Sequence, residues 1–274
     1  MRAKNKNRLL LITAILFLVV LLVLEIANNW LFSSLEYFDE IYNITTRFLG
    51  GAACLIFVYL YSAKKALKLC VSAKSLLVFL PCMAVAVNNF PFVTYLSGQA
   101  YIDKGPAAIL LYAMLCLGVG FFEEMAFRGC FFPILLQRRG NSRLDVFIAI
   151  VLSSVIFGLV HVVNLFAGSG IVPVVMQVGY SFLIGGMCSV ILVKTRCIWY
   201  CVLLHSVYNF CGGVVPNCGG GVIWNAPEIA LTAVVAIFVA IYVVYLLLSI
   251  KPQEIDALLC NETKTNTDFC EMEK

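Results

Sequence analysis

Residues 107–137 read AAILLYAMLCLGVGFFEEMAFRGCFFPILLQ, with Glu123, Glu124 and Arg128 set in an otherwise apolar run that ends at Arg138. A helix that crosses the hydrocarbon core of a bilayer needs about 20 mainly apolar residues, so residues 107–127 are predicted to span a membrane. The run then outlasts an ordinary span, and Gly129 and Pro133 suggest a break or bend there. Charges at such a depth cost free energy, so two acids and a base retained there need an explanation.

The rest of the chain has the same character. It is 62% hydrophobic and 12% charged, with a mean hydropathy of +0.97, against roughly 25% charged residues in a soluble domain. Further apolar stretches lie at 9–29, 46–63, 75–97, 145–166, 172–193, 198–215 and 229–250. The expected fold is therefore an all-α, polytopic transmembrane helical bundle of about eight spans whose first partner is the lipid bilayer.

Lys and Arg accumulate on the cytoplasmic side of membrane proteins. Arg2, Lys4, Lys6 and Arg8, then Lys64, Lys65, Lys68 and Lys74, then Arg138, Arg139 and Arg143 fall on one side of this arrangement, as do Lys194, Arg196, Lys251, Lys264 and Lys274. Arg47 and Lys104 fall near the other, which predicts both termini cytoplasmic. A net charge of +4 spread over membrane-flanking loops does not make a nucleic-acid surface. Residues 9–24 resemble a signal sequence, but Glu25 to Trp30 offers no small-x-small cleavage pattern, so an uncleaved first span is expected. The twelve cysteines show no Cys-x-x-Cys pairing and are expected to be small buried hydrophobes.

No long hydrophilic stretch precedes residue 251, so any chemistry is expected in or beside the bilayer. Residues 1–104 read as N-terminal transmembrane helices, with an acidic outer loop at 30–45 that holds Glu36, Asp39 and Glu40. Residues 105–215 form the core that carries the polar residues, and residues 216–250 a Gly/Pro-rich outer loop with the last transmembrane helix. Residues 251–274 have the composition of a disordered cytoplasmic tail.

The polar residues of the core fall on helical spacings. Glu124 and Arg128 are four apart, share a face and can pair, whereas Glu123 points about 100° away and is left without that partner. A desolvated carboxylate of this kind can serve as a base near neutral pH. Phe157 and His161 are again four apart in the fifth span, as are His205 and Asn209 in the seventh. Each pair alone could be a packing contact between helices, but His161 and His205 are the only histidines in the chain. Counted at about 1.5 Å per residue from the nearest basic flank, Glu123 lies about 22 Å deep, His161 about 27 Å and His205 about 14 Å. Tilt, a bend at Gly129 or Pro133, or a water-filled cavity is needed to bring them together.

The ordered set Glu-Glu-x-x-x-Arg, Phe-x-x-x-His and His-x-x-x-Asn on successive spans resembles the CPBP intramembrane proteases over roughly residues 105–215. That family includes the type II CAAX prenyl endopeptidases and the bacteriocin-processing and self-immunity (Abi) proteins. The resemblance implies an endopeptidase in which Glu123 and His161 activate a water, and His205 with Asn209 holds the oxyanion. Glu124, Arg128 and Phe157 would support that site. Substrates would be prenylated, leader-type or membrane peptides, and the setting an integral protein of the bacterial plasma membrane.

A divalent metal such as zinc is a separate question: Glu123, His161 and His205 could supply three ligands and an open position, although no His-Glu-x-x-His helix is present. Two other readings fit the same residues. One is a non-proteolytic scaffold or bacteriocin self-immunity protein that keeps the cluster for packing; the other is a proton-coupled transporter that uses it as a relay. The absence of an internal repeat counts against the latter.

Overall fold

A computed structural model describes residues 36–259. The expected first span at 9–29, the basic residues Arg2, Lys4, Lys6 and Arg8, and Lys264 and Lys274 lie outside the described residues. The described chain is mostly helical. Helix α1 is Glu36–Tyr61, α2 Ala73–Asn88 and α3 the short Phe92–Leu96. Helix α4, Pro106–Glu124, runs through a π-helical segment, Met125–Phe131, into α5, Phe132–Arg139. Helix α6 is Arg143–Val160, α7 Ile171–Thr195, α8 Ile198–Cys218, α9 Ala226–Leu248 and α10 Pro252–Leu259.

Among the described residues, six helical stretches are long and apolar enough to cross a membrane, the longest being the continuous Pro106–Arg139. The expected span at 75–97 divides instead into α2 and α3. Pro91 causes the division, since it lacks an N–H and pushes the residue before it out of helical conformation. Side chains confirm where several helices begin: Ser72 accepts from the Ser75 N–H, Ser142 from that of Asp145, and Asn225 from that of Glu228.

Three local expectations are corrected. Residues 36–45 are the first turns of α1 and not loop. The Gly/Pro-rich 216–227 is partly ordered: Pro216 lies in α8, Pro227 opens α9, and Gly219–Gly221 forms strand β2, antiparallel to β1 at Ala100–Ile102. Gly221, with φ of +99°, holds a backbone conformation that side chains disfavour. Third, residues 252–259 of the expected disordered tail are helix α10, with Ile255 and Leu258 buried. Its composition is polar, but apolar residues three apart give it one face to bury.

Helix α4 packs on α1 and α8, and α6 packs on α7, while α4 and α7 barely touch. The outer faces carry exposed Leu49, Ile56, Leu183, Ile237 and Phe238, as a lipid-facing bundle requires. Charged ends alternate as the chain passes back and forth, so Lys64, Arg138, Arg143 and Lys194 gather at one end and the β1–β2 pair at the other.

At the basic end α10 is pinned between two helices. Lys194 Nζ donates to the Glu254 carboxylate at 3.0 and 3.2 Å, and Asn141 Nδ2 donates to that of Asp256 at 3.1 and 3.2 Å. The ten cysteines among the described residues are free, and most are buried.

Candidate active site

Glu124 is the last residue of α4, and after it the backbone widens into the π-helical Met125–Phe131. The N–H of Phe132 bonds the carbonyl of Phe127, the i→i+5 step of such a helix. The expected break at Gly129 or Pro133 is therefore not a break: the helix continues, and its hydrogen bonding shifts by one residue. Gly129 lets Val58 and Ile198 close on the widened turn, and Ser62 Oγ donates to the Gly129 carbonyl at 2.7 Å.

The two acids separate as their helical spacing requires. Glu124 is fully buried, and its Oε1 accepts from Arg128 Nη1 at 3.1 Å and from His205 Nδ1 at 2.8 Å. Arg128, also fully buried, sets its guanidinium 4.3 Å from the centre of the Phe157 ring, a cation–π contact that compensates part of its desolvation. Its Nε and Nη2 have no hydrogen-bond partner. Phe157 in turn stands edge-on to both imidazoles, with ring centroids 5.3 Å from His161 and 5.8 Å from His205. The Glu124–Arg128 pair inferred from spacing is present, and its third member, His205, was not foreseen.

Gly185 makes this arrangement possible. A Cβ there would lie 2.6 Å from Arg128 Nη2 and 3.1 Å from Phe157 Cδ1, and the guanidinium cannot retreat because Glu124 and Phe157 hold it. Gly185→Ala is expected to destabilise the protein by about 1–3 kcal/mol through overpacking, read as a lower melting midpoint in detergent.

Glu123, Phe157, His161, His205 and Asn209 line one cavity of about 70 Å³, with Gln177, Tyr180, Ser181 and Ile184 of α7 on its other wall. A polar space of this size holds water. The residues expected to act together are thus adjacent, and the mismatch in their apparent depth has a simple origin. The basic flanks from which depth was counted lie at different heights. Since the three residues share a cavity, the α5–α6 turn overhangs the end of α8 by about 10 Å. Helix α10 fills the step beneath it.

The two imidazoles are held alike. Helix α6 ends at His161, where the Phe157 carbonyl has lost its helical partner and takes one from His161 Nδ1 at 2.9 Å. His205 Nδ1 is committed to Glu124. Both rings therefore carry a proton on Nδ1 and turn Nε2 to other work. His205 Nε2 lies 3.8 Å from Glu123 Oε2, a buried oxygen with no hydrogen-bond partner.

Imidazoles fixed through Nδ1 beside a free carboxylate are the donor set of a zinc site. The spacing does not close on an ion, however: the ligand atoms of Glu123, His161 and His205 do not all lie within 4.8 Å of one another. Among the described residues the group that meets this spacing is Glu124, Cys188 and Cys201. There Glu124 already serves Arg128 and His205, and Cys201 Sγ donates to the Cys188 carbonyl at 3.2 Å. A cation in that place would also face the Arg128 guanidinium, so this group reads as packed thiols around an ion pair.

Residues 105–211 match the family model described as type II CAAX prenyl endopeptidase Rce1-like. The matched segment contains Glu123, Glu124, Arg128, Phe157, His161, His205 and Asn209, so the resemblance read from the three motifs holds for this core. Comparison with curated proteins and with solved structures finds no match.

Proposed function

We propose that this membrane protein is an intramembrane endopeptidase that hydrolyses peptide bonds of prenylated, leader-type or other membrane-associated substrates with a water activated by Glu123 and His161. The observation that carries the reading is the unpartnered Glu123 carboxylate oxygen on the same water-sized cavity as His161, His205 and Asn209. Six apolar helices and the family match over the core support the setting.

In this mechanism the cavity water donates one hydrogen bond to Glu123 and one to His161 Nε2, which leaves a lone pair for the substrate carbonyl carbon. As the carbon–oxygen bond forms, one water proton passes to Glu123 and the carbonyl π pair moves onto oxygen. Asn209 donates to that oxyanion through its carboxamide. His205 can donate from Nε2 only as imidazolium, because its Nδ1 proton is spent on Glu124; the Glu124 carboxylate balances that charge. Glu123 then returns its proton to the departing amine as the carbon–nitrogen bond breaks. Glu124, Arg128 and Phe157 act by positioning His205, and no step draws on a metal, whose ligand spacing is not met.

The decisive test is mass spectrometry of membrane peptides from cells that carry the wild-type protein or Glu123→Ala. New C-terminal ends are expected only with the wild type. Identical peptide sets, with both proteins folded, would favour a non-proteolytic scaffold or immunity role.

A further inference from the structure

The proposed mechanism accounts for the polar groups around the scissile bond but leaves one anchored group on the cavity wall without a task. Gln177 is the only carboxamide residue in α7 and lines the cavity with Glu123 and His161. Its Oε1 accepts from Asn164 Nδ2 at 2.7 Å. That bond fixes the side chain and leaves the Gln177 Nε2 donors without a partner among the described residues.

Local geometry explains the placement. His161–Leu165 is a short 3₁₀ turn, in which residues three apart eclipse one another, so Asn164 stands directly over His161. On α7, Gln177, Ser181 and Ile184 recur at helical spacing and present one face to the cavity. The Asn164–Gln177 pair is therefore a polar rung about one helical turn from His161, on the side away from the basic end. In a cavity of about 70 Å³, a group on this wall lies within one peptide unit of the reacting carbon. Tyr180, Ser181 and Tyr208 also face the cavity, but none has its polar atom held by a side-chain partner as Gln177 does.

We propose that Gln177 is a substrate-binding residue whose carboxamide N–H donates to a backbone carbonyl of the substrate peptide next to the scissile bond, with Asn164 as its positioning residue. A peptide that enters the bilayer must give up the hydrogen bonds its backbone made to water. A fixed donor beside the catalytic groups replaces one of them and sets the register in which the chain meets Glu123. Because it reads backbone, this contact is indifferent to the substrate's side chains.

The inference rests on the peptidase reading, and its test separates the two. The full-length protein in proteoliposomes is assayed with a fluorescence-quenched farnesylated peptide ending in a CAAX sequence. Gln177→Leu is expected to raise KM by roughly tenfold, the worth of about one hydrogen bond, with kcat changed less than about twofold. Gln177→Glu keeps an oxygen for Asn164 Nδ2 and so preserves a merely structural contact, but it presents an acceptor where a donor is needed. It is expected to raise KM at least as much, with a melting midpoint near that of the wild type. Wild-type KM in Gln177→Glu, with normal cleavage by the parent protein, would overturn the assignment of Gln177 alone. No cleavage of the peptide by the wild type would count against the peptidase reading and this inference together.

Discussion

Glu123→Gln is expected to lower the turnover of a cleaved peptide by about 10²- to 10⁴-fold, the usual contribution of a positioned general base, while the fold stays intact. Glutamine matches glutamate in size, and Glu123 makes no ion pair with Arg128, since that contact belongs to Glu124. Its Oε2 has no hydrogen-bond partner, and the side chain is 17% exposed. Little native bonding is therefore lost, and the deficit should fall on kcat at an unchanged melting midpoint. Glu123→Asp keeps a carboxylate but draws it back from the water by a methylene, so an intermediate loss is expected. Single-turnover cleavage in proteoliposomes reads both variants. Turnover by Glu123→Gln within about tenfold of the wild type would remove Glu123 from the chemistry, and the water-activation mechanism with it.

The catalytic motifs were legible in the sequence for a physical reason. Charges and imidazoles are expensive in an apolar helix, so Glu123, Glu124, Arg128, His161 and His205 stand out against their surroundings, and 3.6-residue spacing sorts them by face. The same spacing separated Glu123 from Glu124 correctly. It could not pair Glu124 with His205, 81 residues apart, because that bond depends on how α4 and α8 pack. Nor could it show that the helix after Glu124 widens instead of breaking at Gly129, since nothing in the apolar composition of 125–131 distinguishes a π turn from an α turn.

Gln177 passed unnoticed because a neutral amide in a span carries a weak signal, although it is the one carboxamide among the residues of α7. Helix α10 was hidden by the polar composition of its neighbours. Its Pro252 start and the spacing of Ile255 and Leu258 were nevertheless readable. The depth calculation failed in an instructive way. Basic flanks mark where a helix leaves the hydrocarbon only if it ends there, and the α5–α6 turn runs on.

Arg128→Met separates the structural work of the ion pair from its catalytic work. The substitution leaves the Glu124 carboxylate, fully buried, with His205 as its sole charged-group partner. Breaking a buried pair in this way typically costs about 3–5 kcal/mol, so a large fall in melting midpoint and poor accumulation are expected. Adding Glu124→Gln removes the stranded charge, and the new amide oxygen can still accept from His205 Nδ1. Most of the lost stability should then return, since neutral replacement of a buried ion pair is often close to neutral in free energy. Activity should not return with it. A glutamine at this position orients the imidazole but cannot balance an imidazolium, and without that charge His205 Nε2 has no proton to give the oxyanion. Loss of one oxyanion donor corresponds to about 10²- to 10³-fold in kcat. A double variant that is both stable and fully active would show that Glu124 serves only the fold. A stable, inactive one makes its negative charge part of the reaction.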